Sequence, residues 1–105
     1  TDANSIGVSI VSGNQITFAN AGVYNIEYSI QFTNTNTNSS ANDRVNIWLR
    51  KNDTGTPGDV ADTNSLFQIP NKVGTNNGQL IAAINYVYQL DATDFLQLMW
   101  LPTTT

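Results

Sequence analysis

One stretch of this chain alternates strictly between apolar and polar side chains. Its apolar members are Tyr24, Ile26, Tyr28, Ile30 and Phe32, and every residue between them is polar. Successive side chains of a β-strand point to opposite faces, whereas a helix repeats every 3.6 residues, so period two predicts a strand. Residues 23–33 are therefore predicted to form a long strand with one buried face.

The same period predicts further strands, while residues that favour helices are scarce. Alternation returns at residues 45–50, and shorter strands are predicted at 6–10, 16–18 and 65–69. Asn, Thr, Ser and Gln supply 41 of the 105 residues, and most of these side chains suit turns or strands better than helices. We therefore predict one all-β domain over residues 1–105, with the turn spacing of a β-sandwich or jelly roll.

Three polar segments between the strands are predicted to be exposed loops. Residues 34–42 form an Asn, Thr and Ser tract without an apolar anchor. Residues 53–64 and 71–78 are rich in turn-forming residues, and Asn77-Gly78 within the last segment predicts a tight turn.

The predicted strands of the C-terminal third are apolar on both faces. This holds for residues 80–90 and again for residues 95–101. A strand that is apolar on both faces needs two covers, and a sandwich of this size supplies one, so we expect one face to meet another subunit. A central strand beneath loops is the alternative. The candidate subunit-interface residues are Tyr86, Tyr88, Leu98 and Trp100, with ordinary core packing as the second interpretation of the two tyrosines.

Composition excludes several classes of function. The chain has no Cys and no His, so thiol chemistry, imidazole chemistry and zinc or haem sites built on these residues are excluded. Four Lys and Arg against eight Asp and Glu do not suit a phosphate backbone, so no nucleic-acid partner is predicted. The purely apolar runs are far shorter than the roughly 20 residues of a membrane helix, and no membrane insertion is predicted.

The remaining chemistry would rest on carboxylates, and two Asp-x-x-Asp pairs occur, Asp59 with Asp62 and Asp91 with Asp94. Loop carboxylates bind calcium, and paired carboxylates cleave glycosides. Neither pair has a dense ligand pattern or a neighbour that would raise one pKa. We therefore predict no metal, no cofactor and no enzymatic activity.

Four polar or aromatic residues are candidates for ligand binding. Trp48 lies opposite the buried face of its strand with Arg50 beside it, so the pair can bind a sugar ring or anchor a partner. Packing of Trp48 over its neighbours on the sheet is the alternative. In the polar tract, Asn36 and Asn38 are the candidates for amide hydrogen bonds.

Three segments, in order, resemble the jelly-roll domain of tumour necrosis factor and the globular heads of complement. The segment 16–26 resembles the stretch that opens the first long strand of that family, and the segment 45–52 resembles its following strand and Lys-Asn turn. The segment 90–98 resembles a late hairpin, although Thr93 stands where the family has glycine. The resemblance extends over residues 6–101, and the segment 97–100 and the Asn/Thr loops look most like bacteriophage copies of the domain. The residues that match the family motifs in a structural role are Phe18, Gly22, Tyr24 and Asp94.

The resemblance implies a TNF-like jelly roll, homotrimeric assembly and a noncatalytic role in a virion. The expected function is that of a trimeric knob of a tail fibre or virion appendage used for host attachment. Its expected partners are other virion proteins and a cell-surface glycan or protein, and its expected location is the particle surface. The alternatives are a purely structural decoration or trimerisation knob, and a carbohydrate-binding module of a secreted bacterial protein.

Compared with the family, the chain lacks one strand at each end. The family jelly roll continues beyond residues 97–100 into a strand that completes its inner sheet, and it has a strand before Ile6. Unpaired backbone groups at a sheet edge favour pairing with another chain. We therefore expect the chain to be part of a longer protein, in which another segment or chain supplies these strands.

Overall fold

The computed structural model describes residues 6–38 and 42–104. Within these ranges the chain forms strands and a single turn of 3-10 helix, Thr56–Gly58. The strands are β1 (Val8–Val11), β2 (Gln15–Phe18), β3 (Gly22–Asn34), β4 (Asp43–Lys51), β5 (Ser65–Gln68), β6 (Gly78–Leu90) and β7 (Phe95–Thr104). Among the described residues, no helix is long and apolar enough to cross a membrane.

The strands form two antiparallel sheets. The large sheet has five strands in the order β1-β2-β7-β4-β5, and the small sheet pairs β3 with β6. The β3–β6 register runs without interruption from Gly22 opposite Leu90 to Asn34 opposite Gly78. The prediction of an all-β sandwich is therefore confirmed, and the strand predicted at residues 23–33 is present as β3.

The core lies between the sheets, where period-two alternation places the apolar side chains. One cluster of buried residues contains Val45 and Ile47 of β4 with Ala82 of β6, and the β3 side chains from Tyr28 to Phe32 pack against it. A second cluster contains Phe18, Leu90 and Leu96. Burial of these side chains stabilises the fold by about 25 cal/mol for each Å² of apolar surface removed from water.

The two-faced pattern predicted for the C-terminal strands is present. On β6, Tyr86 and Tyr88 face the large sheet, while Ile81 and Val87 face away from it and are 65% and 71% exposed. On β7, Leu96 faces the small sheet, because it belongs to the buried cluster against which Tyr24 and Ile26 of β3 pack. The second cover that we expected for the outward faces stays a prediction.

The turn between β5 and β6 differs from the expected one. Val73 and Asn76 exchange backbone hydrogen bonds of 2.9 and 3.0 Å, so the tight turn is at Gly74-Thr75, where Gly74 has a φ of +61°. Gly78 instead begins β6, and a Cβ at this position would lie 1.7 Å from the carbonyl oxygen of Pro70. The tight turn predicted at Asn77-Gly78 is therefore wrong, because that glycine is needed for a close backbone approach and not for turning the chain.

The turn between β6 and β7 is strained at Thr93. This residue has a φ of +70°, a conformation that is unfavourable for a β-branched side chain. Its backbone N–H still donates to the carbonyl oxygen of Phe18 at 2.8 Å, which fixes the turn against β2. The turn therefore keeps a left-handed residue at a position that glycine would occupy without steric cost.

Replacing Thr93 with Gly is expected to stabilise the fold by about 1 kcal/mol, because relief of the left-handed strain exceeds the added chain entropy of the unfolded state. Urea unfolding followed by tryptophan fluorescence measures the change. The matched control is Ala92→Gly in the same turn, where φ is not positive; it should destabilise the fold. Equal effects of the two substitutions would contradict the assignment of strain to Thr93.

Candidate functional site

The predicted binding residues Trp48 and Arg50 are engaged within the chain. The Oδ1 atom of Asp59 accepts hydrogen bonds from Trp48 Nε1 at 2.9 Å and from Arg50 Nε at 2.7 Å. Arg50 Nη1 also donates to the carbonyl oxygen of Thr54 at 3.0 Å, and Arg50 is only 8% exposed. These contacts hold the loop after β4 against the outer face of β4. A ligand-binding role for Trp48 and Arg50 stays a prediction, and it would have to use the indole face.

One carboxylate of each Asp-x-x-Asp pair, Asp59 and Asp94, is hydrogen-bonded to other groups of the chain. The Arg50 guanidinium and then Trp48 lower the pKa of the Asp59 carboxyl. Asp94 accepts from Asn52 Nδ2 at 2.7 Å and from the backbone N–H of Asp91 at 2.7 Å, and these bonds lower its pKa as well. A general acid needs a raised pKa, so neither carboxylate resembles one.

No group of three or more acidic side chains that could hold a metal ion occurs in the described part of the chain. Asp59 and Asp94 instead each fasten a loop to β4 or to the turn that follows it. The predictions that the chain has no cofactor and no enzymatic activity remain predictions.

Asn36 and Asn38 belong to a network of amide hydrogen bonds at the end of β3. Asn36 Nδ2 donates to Asp43 Oδ2 at 3.0 Å, and its Oδ1 accepts from the Asn38 backbone N–H at 3.0 Å. Asn34 Nδ2 donates to the same Asp43 oxygen at 2.8 Å. The described part of the predicted loop 34–42 is thus ordered around one carboxylate, while residues 39–41 lie outside the described residues.

The four predicted interface residues lie on inward faces. The hydroxyl of Tyr86 donates to the carbonyl oxygen of Thr63, and the ammonium of Lys51 lies 5.5 Å from the centre of the Tyr88 ring. Leu98 packs against the core. Trp100 contacts Phe32, yet it is 57% exposed. The two tyrosines thus contribute to packing within the chain, and the interface role of all four residues stays a prediction.

The residues that matched the family motifs have structural contacts. Phe18 is buried, and its ring centre lies 4.6 Å from that of Tyr24. The Tyr24 hydroxyl donates to the carbonyl oxygen of Asn20, and Gly22 begins β3. Asp94 fixes the turn before β7, and its carbonyl oxygen accepts from the Phe18 N–H at 2.9 Å. These contacts join the start of β3 to the β6–β7 turn.

The free edge of β3 is a surface suited to an interaction. Within the described residues, β3 pairs only with β6, so its other edge presents unpaired backbone groups along a strand of 13 residues. Between this edge and the large sheet lies an apolar cavity of about 80 Å³. Its lining includes Ile16, Leu96 and Leu98 below and Ile26 and Tyr28 above. We call this region the β3 groove.

A polar atom is buried at the β3 groove. The Tyr28 hydroxyl has no hydrogen-bond partner among the described residues. Burial, with a further contribution from Tyr86, raises the pKa of Tyr28 to about 12. A buried hydroxyl without a partner destabilises a structure by about 1–3 kcal/mol, so a segment added to the groove would gain from supplying an acceptor.

Several polar anchors were not identified from the sequence. Asp43, Asn52 and Thr63 each join segments that are far apart in the chain; Asn52, for example, contacts Asp94. In the sequence they are indistinguishable from the other Asn, Asp and Thr residues of a polar surface. The sequence predicts where the strands end and hence that polar residues gather there. It does not identify which of these side chains form hydrogen bonds with each other.

Comparisons with known proteins do not identify a family. No protein-family model matches this chain, and a search of the curated proteins gives no significant match. The resemblance to the TNF-like domain therefore stays a prediction based on the three segments.

Asp94→Asn is expected to reduce the acid sensitivity of the fold. Because Asn52 and the Asp91 N–H lower the folded pKa of Asp94, its carboxylate stabilises the fold above the ordinary pKa of about 4, and this contribution is lost as the pH falls through the lower folded value. The urea midpoint, measured between about pH 5 and pH 2, should therefore fall less steeply in the variant. Asp91→Asn, with an exposed side chain, is the matched control. Parallel curves for wild type and Asp94→Asn would contradict this assignment.

Proposed function

We propose that this chain is a noncatalytic structural module of a virion appendage, of the bacteriophage type, that acts as part of a homotrimeric knob. Two arguments support the proposal. The three sequence segments resemble TNF-like jelly rolls, and of the two long edges that the small sheet leaves unpaired among the described residues, the one on β3 adjoins an apolar groove. The proposal depends mainly on the open β3 edge, because an unpaired strand edge over an apolar groove favours the addition of another strand.

The sizes of the two sheets explain why completion by a strand is favourable. Strand β3 lies over β7 and β2, since Ile26 and Tyr28 face Ile16 and Leu96 across the groove. The large sheet continues from β2 to β1, where Ile10 opposes Ile16. Ile10 is nevertheless 44% exposed. Neighbouring strands lie about 4.8 Å apart, so an extended segment beside β3 would cover these side chains and pair the free backbone groups. In the jelly roll that we propose, this segment is the strand that completes the inner sheet.

A folded second copy fits this edge less well than a single extended segment. If two β3 edges paired antiparallel about an axis perpendicular to the small sheets, the β1 and β2 strands of both copies would lie on the same side and face each other across the junction. We therefore propose that the added strand comes from another segment of the same protein or from an extended arm of a neighbouring chain. This is strand addition, in which backbone bonds provide affinity and alternate side chains fill the groove.

Trimer contacts in this proposal use the apolar side chains that remain outside the core. Tyr86 and Tyr88 are occupied within the sandwich, so they are poor candidates. Apart from Trp100, whose side chain lies on the inner face of β7, the exposed apolar residues of β6 and β7 are Ile81, Val87 and Leu101. In the proposed assembly they would be covered by neighbouring subunits or virion proteins, and the polar loops would face outward at the particle surface for attachment to a host.

Two alternatives use the same fold. A decoration or trimerisation knob would assemble in the same way without binding a receptor. A carbohydrate-binding module of a secreted bacterial protein would be a compact monomer. The assembly state therefore distinguishes a monomeric carbohydrate-binding module from a trimeric virion protein. Receptor binding then distinguishes an attachment knob from a purely structural knob.

Sedimentation equilibrium of the chain is the direct test of assembly. We expect a species of three times the 11.4 kDa chain mass that persists on dilution and on heating. The physical reason is that each subunit leaves apolar side chains and a long strand edge uncovered. A monomer that stays soluble at all concentrations would contradict the proposal and favour the carbohydrate-binding module.

If a neighbouring chain supplies the added strand, a charge beside the β3 groove, on β1 opposite Ile16, is expected to weaken self-association at least tenfold. Ile10→Lys introduces an ammonium where an added strand would bury it, and desolvating that charge opposes strand addition. The matched control is Ser9→Lys on the same strand, whose side chain points to the opposite face. Sedimentation velocity over a concentration series compares the two. Equal association of both variants would show that the groove takes no part in assembly.

A further inference from the structure

A second cavity lies at the end of the sandwich where β3 and β7 finish. Its volume is about 350 Å³, within the range of small-ligand sites in proteins and near its lower limit. The residues that matter among its lining are Asn34, Asn36, Asp43, Thr103 and Thr104. This end cavity is separate from the β3 groove, and its lining is mainly polar side chains rather than aliphatic ones.

Asp43 is the centre of the end cavity. Its Oδ2 accepts from Asn34 and Asn36 at 2.8 and 3.0 Å, and its Oδ1 accepts from the Thr104 hydroxyl at 2.7 Å. An ionised carboxylate offers about four acceptor positions, so the three bonds within the described residues leave Oδ1 able to accept one more. The carboxylate is thus oriented before any ligand arrives, which reduces the entropy lost on binding.

The orientation of the two amides argues against a cation as the ligand. Asn34 and Asn36 direct their N–H groups to Asp43, and their carbonyl oxygens instead accept from the backbone N–H groups of Asn36 and Asn38, at 2.9 and 3.0 Å. A cation site needs several oxygens that converge on one point. Here the donors converge on the carboxylate, so the cavity lacks that arrangement.

The charge of Asp43 argues against an anion. Hydrogen bonds from Thr104, Asn34 and Asn36 lower the pKa of its carboxyl, so the group is ionised at neutral pH. A phosphate or carboxylate ligand would lie against this charge, although Arg44 also lines the cavity. A neutral ligand rich in hydroxyls avoids the repulsion and can donate both to the carboxylate and to the Thr104 hydroxyl oxygen, whose own O–H is directed to Asp43.

An exposed aromatic side chain, Trp100, lies on β7 two positions before the lining of the end cavity. Trp100 lies on the same face of β7 as Pro102, a lining residue two positions later. Its ring centre is 5.8 Å from that of Phe32, which precedes Asn34 by two positions on β3. The side chain remains 57% exposed, so part of the indole is accessible to a ligand with an apolar surface.

We propose that the end cavity binds one unit of a neutral saccharide, with the sugar hydroxyls on Asp43 and the Thr104 side chain and the C–H face of the ring on Trp100. A sugar ring combines hydroxyl donors and acceptors at its rim with an apolar face, which matches this pairing of groups. The inference rests on the attachment role proposed above, and it supplies the class of receptor for that role.

The test uses N-acetylglucosamine, galactose and glucose as probes in saturation-transfer difference NMR with the intact chain. We expect transfer to the ring protons of at least one sugar, with dissociation constants in the millimolar range that is common for weak single-site binding. Trp100→Ala should weaken that binding at least tenfold, and Asp43→Asn at least fivefold. Asp91→Asn, an exposed aspartate outside the cavity lining, is the matched control and should bind like wild type.

Several outcomes would overturn the proposal. These are transfer to none of the three sugars, binding that survives both Trp100→Ala and Asp43→Asn, and binding of inorganic phosphate in place of a sugar. Circular dichroism checks the fold of each variant, and if Asp43→Asn fails to fold, Trp100→Ala alone decides the result. Sedimentation measures assembly independently, so a trimer that binds no sugar would refute this inference and leave the structural role intact.

Discussion

The uninterrupted β3–β6 pairing is the constraint on which the rest of the structure depends. Because the side-chain period of a strand is two residues, a slip of one position would turn every inward residue of β3 to solvent. The register from Gly22–Leu90 to Asn34–Gly78 prevents this and places one apolar row over the large sheet. Both core clusters form where this row packs against β2, β4 and β7. This packing fixes where the strands end, and the strand ends in turn position the loops.

Strand β4 connects three aspartates that organise the loops. Asp43 at its start gathers the amides after β3, while Asp59 binds Trp48 and Arg50 on its outer face. Asp94 binds Asn52, just beyond its end. Each carboxylate has several donors and a lowered pKa, and each joins β4 or its end to another segment. Few charged residues are present, and the aspartates with lowered pKa are concentrated at these junctions.

The strands could be predicted from the sequence because their signal is local. Residues 23–33 alternate without exception, and the structure extends this strand by only one residue at each end. The side-chain networks could not be predicted in the same way. Asp43 meets Thr104 across 61 positions and Asn52 meets Asp94 across 42, so the pairing depends on sheet order and not on neighbouring residues. The glycine at residue 78 also shows the limit, since only the position of Pro70 reveals why that residue has no side chain.

The unpaired edge of β3 has a consequence for synthesis of the protein. Glu27 is the only charged residue on β3, and β6 has none, so the small sheet carries little of the charge that normally protects edges from misassembly. In the assembly that we propose, newly made copies would be in kinetic competition: each β3 edge would pair either with the added strand or with the same edge of a partly folded neighbour. Synthesis of the completing strand close in time and space to β3 would favour the productive product over amyloid-like aggregates.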